Sequence, residues 1–168
     1  MSIYKNSEIF IRNFIFGVED SLVSTVGLLS GIAITNMQSS EIVAIGIILI
    51  FVEAFSMGIG SLLSEHSVEE YVNHKNVPFW NAALGATTMF FAYFIFGFIP
   101  LSPYIFASIN YAFWISIIFS LITLFFLGSL SSKFSGVKVL RNGFEMLTIG
   151  GIAIVIGIIV GKFIRQVF

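Results

Sequence analysis

The chain has 168 residues, of which 57% are hydrophobic and only 10% charged; a soluble domain carries about 25% charged residues, so a water-facing surface is excluded over most of its length. The net charge of -1 provides no basic face to neutralise phosphates, which argues against a nucleic-acid partner. With no cysteine, disulfides, thiolate metal sites and cysteine nucleophiles are excluded too.

The N-terminal arm, MSIYKNSEIFIRN, is polar and of mixed charge, without the pattern of a cleavable signal peptide. The first apolar stretch is expected to act as both signal and anchor. A membrane-spanning helix needs about 20 mostly apolar residues, and five segments meet that length. They run from about Phe14 to Ile34, Ile42 to Leu63, Phe79 to Ile99, Tyr111 to Leu130 and Met146 to Ile164. The runs are continuously apolar, not alternating, which excludes a barrel. The expectation is an all-α, polytopic membrane protein with five transmembrane helices in a single domain, 1–168. No internal repeat is apparent. Lipid is the solvent for most of the chain: no Asp, Glu, Lys or Arg occurs between Asn76 and Ser132.

Loop charge predicts the orientation. Lys5, Arg12, Lys75, Lys133, Lys138 and Arg141 fall on one side, and Lys162 and Arg165 on the other. Basic residues favour the cytoplasm, so the N-terminus is expected inside and the C-terminus on the opposite side. Tyr104, Tyr111 and Trp114 are expected near the outer interface. The connection after the second span, SEHSVEEYVNHKNVP, is the one strongly charged loop. Its first half is expected to prolong helix two into water, since nothing breaks it before Pro78.

The residues that lipid tolerates least are Glu19, Asp20 and Glu53. A charge at the bilayer centre costs about 2.5–3.5 kcal/mol on insertion scales, so such groups mark an interior or a water-filled path. On the first span Gly17, Asp20, Ser24, Gly27 and Gly31 recur at spacings of 3 and 4, which puts them on one small, polar face. A close helix contact explains the glycines; it does not explain Asp20. Glu19 points about 100° away and lies near the headgroups. On the second span Glu53 and Met57 are one turn apart, with Gly60 on the same face as an expected point of close helix packing. A carboxylate beside a thioether suits a softer transition metal than Mg2+. Glu65, His66, Glu69 and Glu70 follow at helical spacing, as a solvated helix end or as a site of metal capture. Gly157 and Gly161 form a GxxxG packing motif. No catalytic constellation is present, so an enzyme is not expected, and both histidines lie in one loop, too few for a catalytic zinc.

Several segments resemble the vacuolar iron transporter family. Gly17-Val18-Glu19-Asp20-Ser21-Leu22-Val23 is similar to its Gly-x-x-Asp-Gly-Leu-Val core, and Ser56-Met57-Gly58-Ile59-Gly60 to its Ser-Met-x-x-Gly element. Ile99-Pro100-Leu101-Ser102-Pro103-Tyr104 is similar to Ile-Pro-Leu-x-Pro-Tyr, and LFFLGSLSSKFSG and the last span also look alike. The resemblance implies a five-helix protomer acting as a homodimer. It implies proton-coupled export of Fe2+, sometimes Mn2+, along a path near the dimer interface, with Asp20 and Met57 as path residues. No resident cofactor is implied; the metal and H+ are cargo. Metal and proton would compete for Asp20 and Glu53, and two copies would supply enough ligands. Two departures stand out: Ser61 occupies a position where the family often has Glu, with Glu53 as a candidate replacement, and the cytoplasmic metal-binding domain of plant members is reduced to the short Glu/His stretch. The alternatives are a non-transporting scaffold or assembly subunit and a channel-like cation pore. The compact loops suit a prokaryotic plasma membrane.

Overall fold

The computed structural model describes residues 2–35, 37–135 and 138–167, with side chains over 7–35, 37–133 and 138–167. Five α-helices follow one another: α1 (Ser2–Ala33), α2 (Ser39–Asn73), α3 (Ala83–Phe106), α4 (Ile109–Ser135) and α5 (Val139–Val167), with a single 3-10 turn, Phe79–Ala82, before α3. No strand occurs among the described residues, and all five helices are long and apolar enough to cross a membrane. Lys5 lies outside the residues whose side chains are described.

The helices overrun the apolar segments, because water-facing turns add to both ends. α2 begins where the Glu41 carboxylate accepts the Gln38 backbone N–H at 2.8 Å, an N-terminal cap that uses an otherwise orphaned donor. It continues well past Leu63 to Asn73 and stops at His74, whose φ of 51° is left-handed. α3 is expected to end at Ile99, before Pro100, yet it runs through Pro100 and Pro103 to Phe106. Pro103 cannot donate to the Ile99 carbonyl, and the Ser102 hydroxyl takes its place at 3.0 Å. Neighbouring groups that re-satisfy the backbone are what let a membrane helix carry proline.

α1 is the hub. It is the least hydrophobic of the five spans and the most buried. α3 and α5 cover it most extensively, α4 less, and α2 least of all; α2 packs mainly on α3, and α5 on α1 and α4. Apolar residues fill the gaps: Val18 and Leu22 meet Ala92, Leu124 and Leu127. Further along, Leu29, Ile42, Ile50, Leu101, Tyr104 and Ala112 form a second cluster. Tyr104 is thus buried in the core, contrary to its expected place at the interface, because the unbroken α3 turns it inward. Tyr111 and Trp114 are exposed.

The α1–α5 contact is backbone on backbone. A Cβ on Gly31 would lie 2.7 Å from the Gly157 carbonyl oxygen, and one on Gly157 or Gly161 would overlap the carbonyl of Gly27 or Gly31. Small residues permit such approach between membrane helices. Gly17 lies equally close to α3, where a Cβ would sit 2.9 Å from that of Ala92. Gly60 is different: nothing lies within 4 Å of its Cβ position, so the helix contact expected there is not made within the chain. Gly60 instead borders the cavity between α1 and α2.

Gly157→Leu is expected to wedge α1 from α5 and to destabilise the protein by about 1–3 kcal/mol or more. Gly60→Ala is expected to leave stability unchanged within about 0.5 kcal/mol. Thermal unfolding of the two variants in detergent, followed by size-exclusion chromatography, checks this contrast.

Candidate transport path

The antiparallel pair α1 and α2 forms an open seam, and the residues of interest step along it. Asp20 lies across from Glu53, closely enough for the two charges to interact. Both are half-buried. One turn back along α1 and one turn forward along α2, Phe16 and Met57 border the same cavity. A further turn brings Arg12 and Asn13 opposite Ser61 and Glu65. Four residues on one helix match four on the other, as the shared 1.5 Å rise requires of antiparallel helices. The seam carries charge because α1 and α2 touch each other so little; a tightly interlocked pair would leave no space to hydrate or neutralise a carboxylate.

The polar face of α1 is fastened to α3. The Ser21 hydroxyl donates to the Tyr93 carbonyl at 2.6 Å, and the Ser24 hydroxyl and the Tyr93 hydroxyl lie 2.6 Å apart in a hydrogen bond. Tyr93 is fully buried and lies within electrostatic range of both Asp20 and Glu53. Reading the sequence misses Tyr93. The available signal is its isolation: between Met89 and Leu101 every other side chain on α3 is apolar, so a lone hydroxyl there needs a buried partner. Gly97 makes the approach feasible, since a Cβ there would stand 2.9 Å from the Ser21 hydroxyl and 2.8 Å from Ile50.

The other candidates disperse. Glu19 is half-buried, with Asp20 as its charged neighbour. Met57 borders a cavity of about 470 Å3 together with Met89 from α3, a second thioether that the sequence does not single out. Glu65 also turns into this cavity and pairs with Arg12. His66 turns away: its ring stacks on Phe79 at 3.9 Å, and its Nε2 donates to the Val77 carbonyl at 3.0 Å. Glu70 stands 3.9 Å from His66. Glu65, His66, Glu69 and Glu70 are thus not gathered into one ligand set. Among the described residues no three Asp, Glu or His side chains converge in the manner of a resident metal site. This follows from helical geometry: residues 65 and 66 are about 100° apart, and the returning chain claims one of the two faces.

Removing the Tyr93 hydroxyl tests the α1–α3 fastening. Tyr93→Phe and Ser24→Ala are each expected to destabilise the protein, with a coupling of about 0.6 kcal/mol between them, as for buried hydrogen bonds in membrane proteins. A double-mutant cycle by denaturant unfolding in micelles measures it, and strict additivity would show that the hydroxyls do not pair.

The residues that border the seam fall within the matched part of the chain. No individually curated protein matches it. The VIT family model matches residues 11–77 and 75–162, which cover most of each of the five helices. The chain therefore belongs to the VIT family, the vacuolar iron transporter family, whose members move metal ions across membranes.

Proposed function

We propose that the protein exports a divalent cation, Fe2+ in the first place and Mn2+ as a second cargo, in exchange for protons, along the α1–α2 seam, with the N-terminus in the cytoplasm. The observation that carries this reading is the juxtaposition of Asp20 and Glu53 across the least extensive of the contacts that α1 makes with the other helices. Two carboxylates that share a partly dehydrated site cannot both keep an uncompensated charge. Protons neutralise them, or a cation does. The two states exclude each other, and that exclusion is the coupling of an antiporter. Binding metal from one side releases protons; protons arriving from the other side release the metal.

Met57 biases the choice of metal. A thioether favours transition metals over Mg2+ and Ca2+, and it costs nothing electrostatically in a membrane. One protomer supplies two carboxylates and one thioether along this stretch, fewer donors than a divalent ion takes up. A second copy related by a two-fold axis doubles them, and the outward face of α2 offers Ile48, Phe51, Val52 and Phe55 for an apolar contact. A closed two-fold interface meets itself with the same patch, so this face suits a homodimer. A fixed scaffold gains nothing from opposed carboxylates, and a channel gains nothing from proton exchange.

Proteoliposomes loaded with an Fe2+ indicator test the reading. Wild-type protein is expected to take up Fe2+ faster under a pH gradient. Asp20→Asn is expected to lower the rate at least about tenfold, since even outer-shell changes at metal sites cost that much. Met57→Ala is expected to slow Fe2+ more than Mn2+. Flux indifferent to the pH gradient would replace the antiporter with a pore, and full Fe2+ transport in both variants would sink the assignment.

A further inference from the structure

The seam has a second polar constellation, two turns from Asp20 towards the chain's N-terminus. The Glu65 carboxylate is 12% exposed and pairs with the Arg12 guanidinium, itself 62% exposed. The same Glu65 oxygen stands 3.4 Å from the Asn13 amide nitrogen, which also donates to the Ile9 carbonyl at 2.9 Å. Asn13 is 3% exposed. Its amide oxygen accepts the Ser61 hydroxyl at 2.7 Å. α3 meets this group at Gly85, where a Cβ would lie 3.0 Å from the Asn13 nitrogen, 3.1 Å from the Ser61 hydroxyl and 3.3 Å from the Glu65 side chain. Three helices therefore close on one carboxylate, and only a glycine on the third lets them do so. Beside the carboxylate lies the cavity of about 470 Å3, bordered by the thioethers of Met57 and Met89.

We propose that this cavity is a docking site for a borderline-soft divalent cation on its way to the Asp20–Glu53 pair, and that Arg12 is a tethered cation that holds Glu65 until the metal displaces it. The inference rests on the transport reading above and adds to it a first station and a resident competitor. The donor set argues for the ligand class: one carboxylate, one amide oxygen, one hydroxyl and two thioethers combine hard and soft donors, which suits first-row transition ions better than Mg2+ or Ca2+. The uneven burial of the ion pair argues for displacement. Glu65 is held from several sides, whereas most of Arg12 is in solvent, and an exposed partner can leave at little cost. A divalent ion brings twice the charge of the guanidinium to the same carboxylate. The cavity's inner border is Met57, one helical turn from Glu53, so a docked ion is already beside the path.

Co2+ serves as the probe, bound to purified protein in detergent and followed by its visible absorption, in an Asp20→Asn, Glu53→Gln background that removes the path's own carboxylates. Arg12→Gln is expected to tighten Co2+ binding by roughly two- to fivefold, the range for losing a partly exposed ion-pair competitor, and Arg12→Lys to restore the original affinity. Glu65→Gln is expected to weaken binding at least about tenfold. Met57→Leu with Met89→Leu is expected to alter the absorption spectrum of bound Co2+. Equal weakening by Arg12→Gln and Glu65→Gln would make the pair a structural clamp and overturn the proposal, as would affinity indifferent to both. Wild-type Fe2+ uptake, measured in parallel, separates the two readings. Uptake with Co2+ binding indifferent to Arg12 and Glu65 sinks the docking site alone, whereas absence of uptake removes the transport reading together with the role built on it.

Discussion

The rest of this structure depends on the absence of water in the bilayer. A polar group there has to find its partner inside the protein or forfeit several kcal/mol. The chain meets much of this demand by burying one polar helix face, that of α1, among the other helices, while the buried Ser116 and Ser120 of α4 bond to backbone carbonyls. α1 carries Asn13, Asp20, Ser21 and Ser24, and it is the most buried span; the more hydrophobic helices form the wall. A soluble bundle sorts its residues the other way round.

From that choice follow the contacts that define the bundle. α3 supplies the hydroxyl and carbonyl of Tyr93 for Ser24 and Ser21. α5 brings Gly157 and Gly161 to α1, so that side is closed by close backbone approach, with Ile154 packed near Val26 beside it. α4 and α5 are joined between the last turns of α4 and the first turn of α5, where the Asn142 amide donates to the Gly128 carbonyl at 2.9 Å and to the Ser131 hydroxyl at 2.6 Å. α2 alone is left loosely attached to α1, and the carboxylates sit on that side. The charged seam and the tight seams are thus two outcomes of the same demand.

Much of this was legible in the sequence. Apolar runs of spanning length marked the five helices, and spacings of 3 and 4 put Gly17, Asp20, Ser24, Gly27 and Gly31 on one face. What escaped was anything decided between helices. The periodicity of α3 says nothing of Tyr93, because a tyrosine among phenylalanines looks like wall until its hydroxyl meets Ser24. Met89 looks like core filler, and Gly85 like any membrane glycine, until Asn13, Ser61 and Glu65 converge on it. The run from Glu65 to Glu70 reads as one acidic cluster, whereas the returning chain draws His66 onto Phe79 and leaves Glu65 to Arg12. The prolines of α3 misled for a similar reason: the breaking power of Pro103 is local, but its remedy lies in the Ser102 hydroxyl.

The glycine contact between α1 and α5 has a mechanical consequence. Side-chain interfaces adapt by changing rotamers, so helices joined through them can slide in small steps. Gly27, Gly31, Gly157 and Gly161 offer no rotamers. Such a joint is either engaged or parted, with no graded positions between. α1 and α5 therefore behave as one strut, and under the transport reading proposed above a rearrangement that exposes Asp20 first to one side of the membrane and then to the other has to leave that strut intact. The freedom for it lies in α2, tilting on α3 as a lever against a fixed post.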